Sequence, residues 1–188
     1  AFLMASFLVI RSYFLGLFLI RCEKFRFYFA FICILLAARV VMILDLPVLE
    51  TLNINGPVLV RIDYLNIYLF APLFSLMIHS LFPYEFPRLV LRVILWISAV
   101  FILTVLVTPV SLFSNTMFGF FLLFLLISGV FLVVIIRAWS RGRSHAPAFA
   151  IGLVILFLGT LNDMLNEIDV IQTTYLVQYT MFVFLLIY

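Results

Sequence analysis

Near-continuous apolar runs recur along the whole chain, and they constrain its fold more than any other feature. Each run is about twenty residues long, which is the length of helix that crosses the hydrocarbon core of a bilayer. Short segments rich in Pro, Gly, Asn or charged residues separate the runs. The pattern therefore predicts an all-α, polytopic membrane protein.

The composition supports this prediction. Of the 188 residues, 68% are hydrophobic and 10% are charged, whereas a soluble domain is about 45–50% apolar and about 25% charged. Phenylalanine alone supplies 23 residues, more than the core of a small soluble domain can hide. Lipid must therefore solvate much of the surface.

We predict seven membrane-spanning helices in a single domain that covers residues 1–188. The predicted spans are residues 1–20, 27–45, 62–82, 89–107, 115–136, 147–165 and 170–188. The breaks between them hold charged segments or prolines such as Pro57, Pro83 and Pro109. Proline in a helix interior removes a hydrogen bond and clashes with the preceding turn.

The basic residues of the loops predict the orientation. The odd-numbered loops and adjoining helix ends carry Arg21, Lys24, Arg26, Arg88, Arg92, Arg137, Arg141 and Arg143, whereas the even-numbered loops carry only Arg61. Short loops rich in Lys and Arg remain in the cytoplasm. We therefore expect the N-terminus outside and the C-terminus in the cytoplasm.

Polar residues inside three of the spans are the candidate functional residues. Arg39 lies in the outer half of the second span, and Asp63 and Asn66 lie on one face at the outer end of the third. Asn162 and Asp163 lie at the outer end of the sixth. Intramembrane charges generally face the bundle interior and mark sites, so these five residues are candidates for ligand binding or coupling.

Arg39 requires a carboxylate partner, because an unpaired guanidinium within the membrane costs at least about 2.5 kcal/mol. Asp63 and Asp163 both lie at a matching depth in the predicted topology. We favour Asp163, because Asn162 offers a second acceptor and Gly152 and Gly159 leave the sixth span thin. An ion pair that fixes helix packing and an outward-facing ligand site both remain compatible with the pattern.

Small residues form stripes on two spans. Ala30, Cys33 and Ala37 share a face of the second span, and Gly152 and Gly159 share a face of the sixth. Small residues let membrane helices approach closely. We interpret both stripes as packing faces.

Motifs that carry chemistry are absent from the sequence. It lacks HExxH, GxSxG, a P-loop, a CxxC pair and any His/Cys cluster with metal spacing. We therefore predict no catalytic residues, no metal and no cofactor. A retinal Schiff base is disfavoured because the only lysine, Lys24, lies in a predicted cytoplasmic loop. The basic residues cluster in the loops predicted to be cytoplasmic, and this orientation bias alone explains them. Nucleic-acid binding is therefore not expected.

Three landmarks occur in a familiar order. They are the stretch from Phe27 to Arg39, the stretch from Arg61 to Tyr68 followed by Leu81-Phe82-Pro83, and the helix from Gly152 to Asn162-Asp163. Together they resemble the membrane domain of the bacterial seven-transmembrane receptors with diverse intracellular signalling modules. The chain departs from this pattern at Asp63, where a glutamate is expected.

The resemblance implies a signal-transducing receptor domain that crosses the cytoplasmic (inner) membrane several times. Such a domain links an extracytoplasmic sensor, which takes carbohydrate-like ligands, to a cytoplasmic cyclase, histidine kinase or phosphatase in the same polypeptide. The resemblance also implies a homodimer, in which catalysis belongs to the output module. A small-solute carrier or channel and a membrane scaffold subunit are the alternative functions.

Overall fold

Helices make up most of the described chain, which comprises residues 24–43, 56–143, 146–167 and 170–187 of a computed structural model. The helices are α1 (Lys24–Ile43), α2 (Gly56–Leu81), α3 (Arg88–Val107), α4 (Val110–Phe113), α5 (Thr116–Ser140), α6 (Ala146–Glu167) and α7 (Val177–Ile187). No strand occurs within these ranges. The predicted all-α architecture is confirmed for these residues.

Among the described residues, four helices are long and apolar enough to cross a membrane by length and composition. They are Gly56–Leu81, Arg88–Val107, Thr116–Ser140 and Ala146–Asn166, and they overlie the third to sixth predicted spans. Helices α1 and α7 overlie the second and seventh. The first predicted span, residues 1–20, lies outside the described residues, as does Arg11 within it. The count of seven spans and the orientation stay predictions.

Proline sets several helix ends. Helix α3 begins directly after Pro87 and ends before Thr108, which has an extended backbone (φ −95°, ψ 157°). Because the ring of Pro109 disfavours a helical conformation for the residue before it, the helix stops there. We predicted that Pro57 lies in a break between helices, but it lies in the first turn of α2, which begins at Gly56. Proline fits a first helical turn because its missing N–H has no helical acceptor there.

The C-terminus of α5 is closed by a Schellman motif. The amide of Arg143 donates to the carbonyl of Ala138 at 3.2 Å, and the amide of Gly142 donates to the carbonyl of Trp139 at 2.9 Å. Gly142 has a φ of 70°, which glycine adopts without a steric penalty. This tight turn leads to α6, which begins at Ala146.

The chain divides into two compact units, residues 1–124 and 125–188. In the first unit, α2 packs against both α1 and α3. Ala30, Cys33 and Ala37 of α1 are all buried, which agrees with the interpretation of this stripe as a packing face.

In the second unit, α6 packs against α7. Gly152 and Gly159 face Phe184 and Thr180 of α7 so closely that a Cβ on either glycine would clash with the facing side chain. The predicted glycine stripe on the sixth span is therefore a packing face.

Candidate functional site

Arg39 and Asp63 join α1 to α2. Nη1 of Arg39 donates to Oδ1 of Asp63 at 2.6 Å, a distance typical of a strong charge-assisted hydrogen bond. The side chain of Arg39 is 16% exposed and that of Asp63 is 35% exposed. The pair therefore lies at a partly sheltered point between two apolar helices, where each charge compensates the other.

Asn66 forms a second tie between the same two helices. Its Nδ2 donates to the backbone carbonyl of Leu35 at 2.9 Å, and the residue is buried. Asn66 lies three residues after Asp63, while Leu35 lies four before Arg39, so both ties use the same pair of helix faces. One carboxylate and one amide of α2 thus fix its register against α1.

The prediction that Arg39 pairs with a carboxylate is confirmed. The choice between the two candidate acids was wrong. The acid bound to Arg39 is Asp63, whereas we favoured Asp163. The predicted topology placed both acids at the depth of Arg39. The residue that faces Arg39 is set by helix packing, and in the described part of the chain α2 packs on α1.

Asp163 instead holds the start of α7. Its Oδ1 accepts from the amide of Leu176 at 2.6 Å, and its Oδ2 accepts from the amide of Val177 at 3.0 Å. The first amides of a helix have no partner within it and carry partial positive charge. A buried carboxylate from α6 therefore caps α7 both by hydrogen bonding and by its charge.

Two asparagines of α6 hold the segment that precedes α7. Asn162 Nδ2 donates to the carbonyl of Thr174 at 3.0 Å, and its Oδ1 accepts from the Thr173 hydroxyl at 2.9 Å. Oδ1 of Asn166 accepts from the amide of Thr173 at 3.2 Å. We call Asn162, Asp163 and Asn166, with their partners in residues 173–177, the α6–α7 network.

The α6–α7 network corrects the predicted start of the last helix. We predicted a span from residue 170, but α7 begins at Val177, and residues 171–176 have no regular secondary structure. Their backbone groups need acceptors and donors, and the amide and carboxylate side chains of α6 supply them. The polar run Gln172-Thr173-Thr174 was the available signal for this loop.

Arg61 has a structural role that the sequence analysis missed, since we treated it only as a loop charge. Its guanidinium donates to the carbonyls of Leu106 and Thr108, both at 3.0 Å, and lies 5.9 Å from the ring centre of Phe113. The last carbonyls of a helix lack amide partners and favour a cation. Arg61 thus ties α2 to the end of α3.

A buried aromatic cluster also centres on α2. The hydroxyl of Tyr68 is hydrogen-bonded to Oγ1 of Thr116 at 2.8 Å. Its ring packs against Phe101 and Phe120, with ring centres 5.4 and 4.4 Å away. The described residues contain no group of three or more His, Cys, Asp or Glu side chains able to hold a metal.

Comparison with known proteins identifies the family. The sequence profile of the 7TM diverse intracellular signalling family matches residues 1–188. The chain belongs to this family. The resemblance noted in the sequence is thereby confirmed over the whole chain.

Membership in the 7TM diverse intracellular signalling family makes the chain a multi-pass membrane domain of the signalling receptor type, which is not itself a catalytic module. No curated protein and no solved structure matches the chain. The roles of individual residues in this 7TM diverse intracellular signalling domain must therefore be argued from its own contacts.

Proposed function

We propose that the domain couples an extracytoplasmic ligand or sensor domain to a cytoplasmic output module of the cyclase, histidine kinase or phosphatase type. The observation that carries the proposal is the double hydrogen bond from the start of α7 to the carboxylate of Asp163. In the predicted topology, α7 leads from the outer face to the cytoplasm. A change at Asp163 therefore acts on the helix that leads to the output.

Hydrogen bonds and ion pairs between helices are suited to a conformational switch. A transducer needs two discrete packing arrangements, one of which the signal favours. An ion pair or a hydrogen bond in an apolar environment is either formed or broken, and leaving it unmade is costly. Arg39 with Asp63 and Asn66, and Asp163 with Asn162, are the residues through which we propose that ligand binding is coupled to helix packing.

The polar character of these residues also suits the proposed ligand class. Arginine, carboxylate and amide side chains bind hydroxyl-rich, carbohydrate-like molecules through several directed hydrogen bonds. We further propose a homodimer in the inner membrane, because cyclase and kinase outputs work as paired subunits. The dimer rests on family analogy alone.

Output activity in the whole polypeptide, reconstituted in nanodiscs, tests the coupling role. Asp163→Asn keeps the size of the side chain but removes the charge, and it turns an amide N–H₂ towards one of the two backbone donors. Loss of a helix cap costs about 1 kcal/mol, so the basal output should change about fivefold. Gln172→Ala, at an exposed position in the same loop, is the control and should leave the output unchanged.

An unchanged output in Asp163→Asn would refute the coupling role of Asp163. Flux of a small solute through vesicles that contain the domain would favour the carrier reading over the transducer. The same purified protein serves both measurements, in nanodiscs for output and in vesicles for flux, and together they separate signalling from transport.

A further inference from the structure

Helix α3 carries a stripe of exposed side chains along one face. Its members recur every three or four residues and are Arg88, Arg92, Trp96, Val100, Leu103 and Val107; the apolar side chains of Leu89, Val93, Ile97 and Leu106 are exposed beside them. The opposite face holds Leu91, Ile94, Ser98 and Val105, which are buried. We call the exposed set the α3 stripe.

The α3 stripe changes character along its length. Two arginines stand one turn apart at the start of the helix, where residues four apart are about 5–6 Å from each other. Trp96 follows one turn later and is 74% exposed, and the rest of the stripe is aliphatic. Within the described residues, no carboxylate forms an ion pair with Arg88 or Arg92.

This order matches the parts of a phospholipid. Guanidinium groups bind phosphate oxygens through paired hydrogen bonds, tryptophan settles at the level of the headgroups, and aliphatic side chains contact acyl chains. Two unpaired positive charges complement a headgroup with a net negative charge better than a zwitterionic one. The proposal needs only the membrane location of the family, not the proposed signalling role.

We infer that the α3 stripe binds an anionic phospholipid, with its phosphate at Arg88 and Arg92 and an acyl chain along Trp96, Val100 and Leu103. Arg137 and Arg141 provide a matched comparison. They are also four residues apart and exposed, but they lie at the C-terminal end of α5. There the carbonyl ends of the helix repel an anion, whereas the amide end of α3 attracts one.

Quenching of Trp96 fluorescence by brominated lipid tests this site. The chain has two tryptophans, so Trp139→Phe leaves Trp96 as the single reporter. Vesicles of phosphatidylcholine would contain equal fractions of either brominated phosphatidylglycerol or brominated phosphatidylcholine. A basic residue near a membrane surface favours anionic lipid by about fivefold. We therefore expect brominated phosphatidylglycerol to associate with the site at least about fivefold more strongly than brominated phosphatidylcholine.

The double variant Arg88→Gln/Arg92→Gln should lose this preference, whereas Arg137→Gln/Arg141→Gln should retain it. Equal quenching by the two lipids in the unaltered stripe overturns the proposal, as does an equal loss in both double variants. The first comparison needs no arginine substitution, so it decides the matter even if a variant fails to fold.

Two further outcomes identify a different occupant and overturn the proposal. If inorganic phosphate, replacing chloride at the same ionic strength, abolishes the preference, the arginines bind a soluble anion rather than a lipid. If neither brominated lipid quenches Trp96, the stripe is covered by protein, for which a second copy of the chain is the candidate. Retention of the preference in phosphate, together with quenching, supports the lipid.

Discussion

At the scale of single residues, the ion pair between Arg39 and Asp63 predicts a clear energetic effect. Arg39→Leu or Asp63→Asn leaves one partly buried charge without its partner, which should lower the unfolding free energy by about 1–3 kcal/mol. Reversible unfolding in mixed micelles, followed by helical circular dichroism, measures the change. The double exchange Arg39→Asp/Asp63→Arg should recover part of the loss.

Arg137→Leu is the control for the loss of an arginine, because Arg137 is exposed on α5 and belongs neither to this ion pair nor to the α3 stripe. It should change the unfolding free energy by less than about 0.5 kcal/mol. If Arg39→Leu is no more destabilising than Arg137→Leu, the ion pair does not hold α1 to α2.

Asp163 predicts a local effect on α7. Asp163→Ala removes both acceptors from the amides of Leu176 and Val177, so the first turn of α7 should fray and hydrogen exchange in residues 173–180 should become faster by about fivefold to tenfold. Mass spectrometry of peptides from this region measures the exchange. Gln172→Ala should leave it unchanged, and equal exchange in Asp163→Ala and the parent would show that the carboxylate is not the cap.

The sequence predicted that Arg39 needs an acid, because a lone guanidinium in an apolar span is costly. It did not identify Asp63, since span positions give depth in the membrane but not which helices are neighbours. The role of Asp163 was hidden for a different reason. A side chain that binds backbone amides has no complementary residue type to reveal it in the sequence.

At the scale of helices, apolar run length and proline position predicted the end of α3 at residue 107, because the determinants there are local. The start of α7 was misplaced because hydropathy is insensitive to a short non-helical segment, and the side chains that stabilise this segment belong to α6. Local signals thus sufficed where the chain itself terminates a helix, and failed where another helix determines the end.

The contact between α6 and α7 predicts that glycines in similar helices differ in their tolerance of a methyl group. A Cβ at Gly159 would lie 2.6 Å from Cγ2 and 2.9 Å from Cβ of Thr180, so rotation of the threonine cannot remove the clash. Gly159→Ala should therefore destabilise the domain by about 1–3 kcal/mol. The same unfolding assay in mixed micelles measures it.

Gly129→Ala is the matched control, because a Cβ at Gly129 in α5 would meet no atom within 4 Å. Alanine is the better helix former, so this variant should be neutral or more stable by up to about 1 kcal/mol. Equal effects of the two substitutions would show that α6 and α7 are not in close contact at Gly159.

At the scale of the whole molecule, the charge bias predicts which loops face which side. Tyr84 and Ser111 are exposed residues at opposite ends of α3. In a chain with Cys22 and Cys33 replaced, a membrane-impermeant thiol reagent added to intact cells should label Ser111→Cys but not Tyr84→Cys. Permeabilised cells should show labelling of both. Labelling of both variants in intact cells would contradict the predicted orientation.

The central claim is that polar contacts at the start of α7 control the position of that helix. Its most direct test is the distance between spin labels at Ser140→Cys and Val183→Cys, both exposed sites in the second unit, measured by pulsed electron resonance in nanodiscs. Replacement of Asp163 by Asn should shift the distance distribution by about 1–2 Å or broaden it, whereas Gln172→Ala should not. Identical distributions in the parent and in Asp163→Asn would contradict the claim.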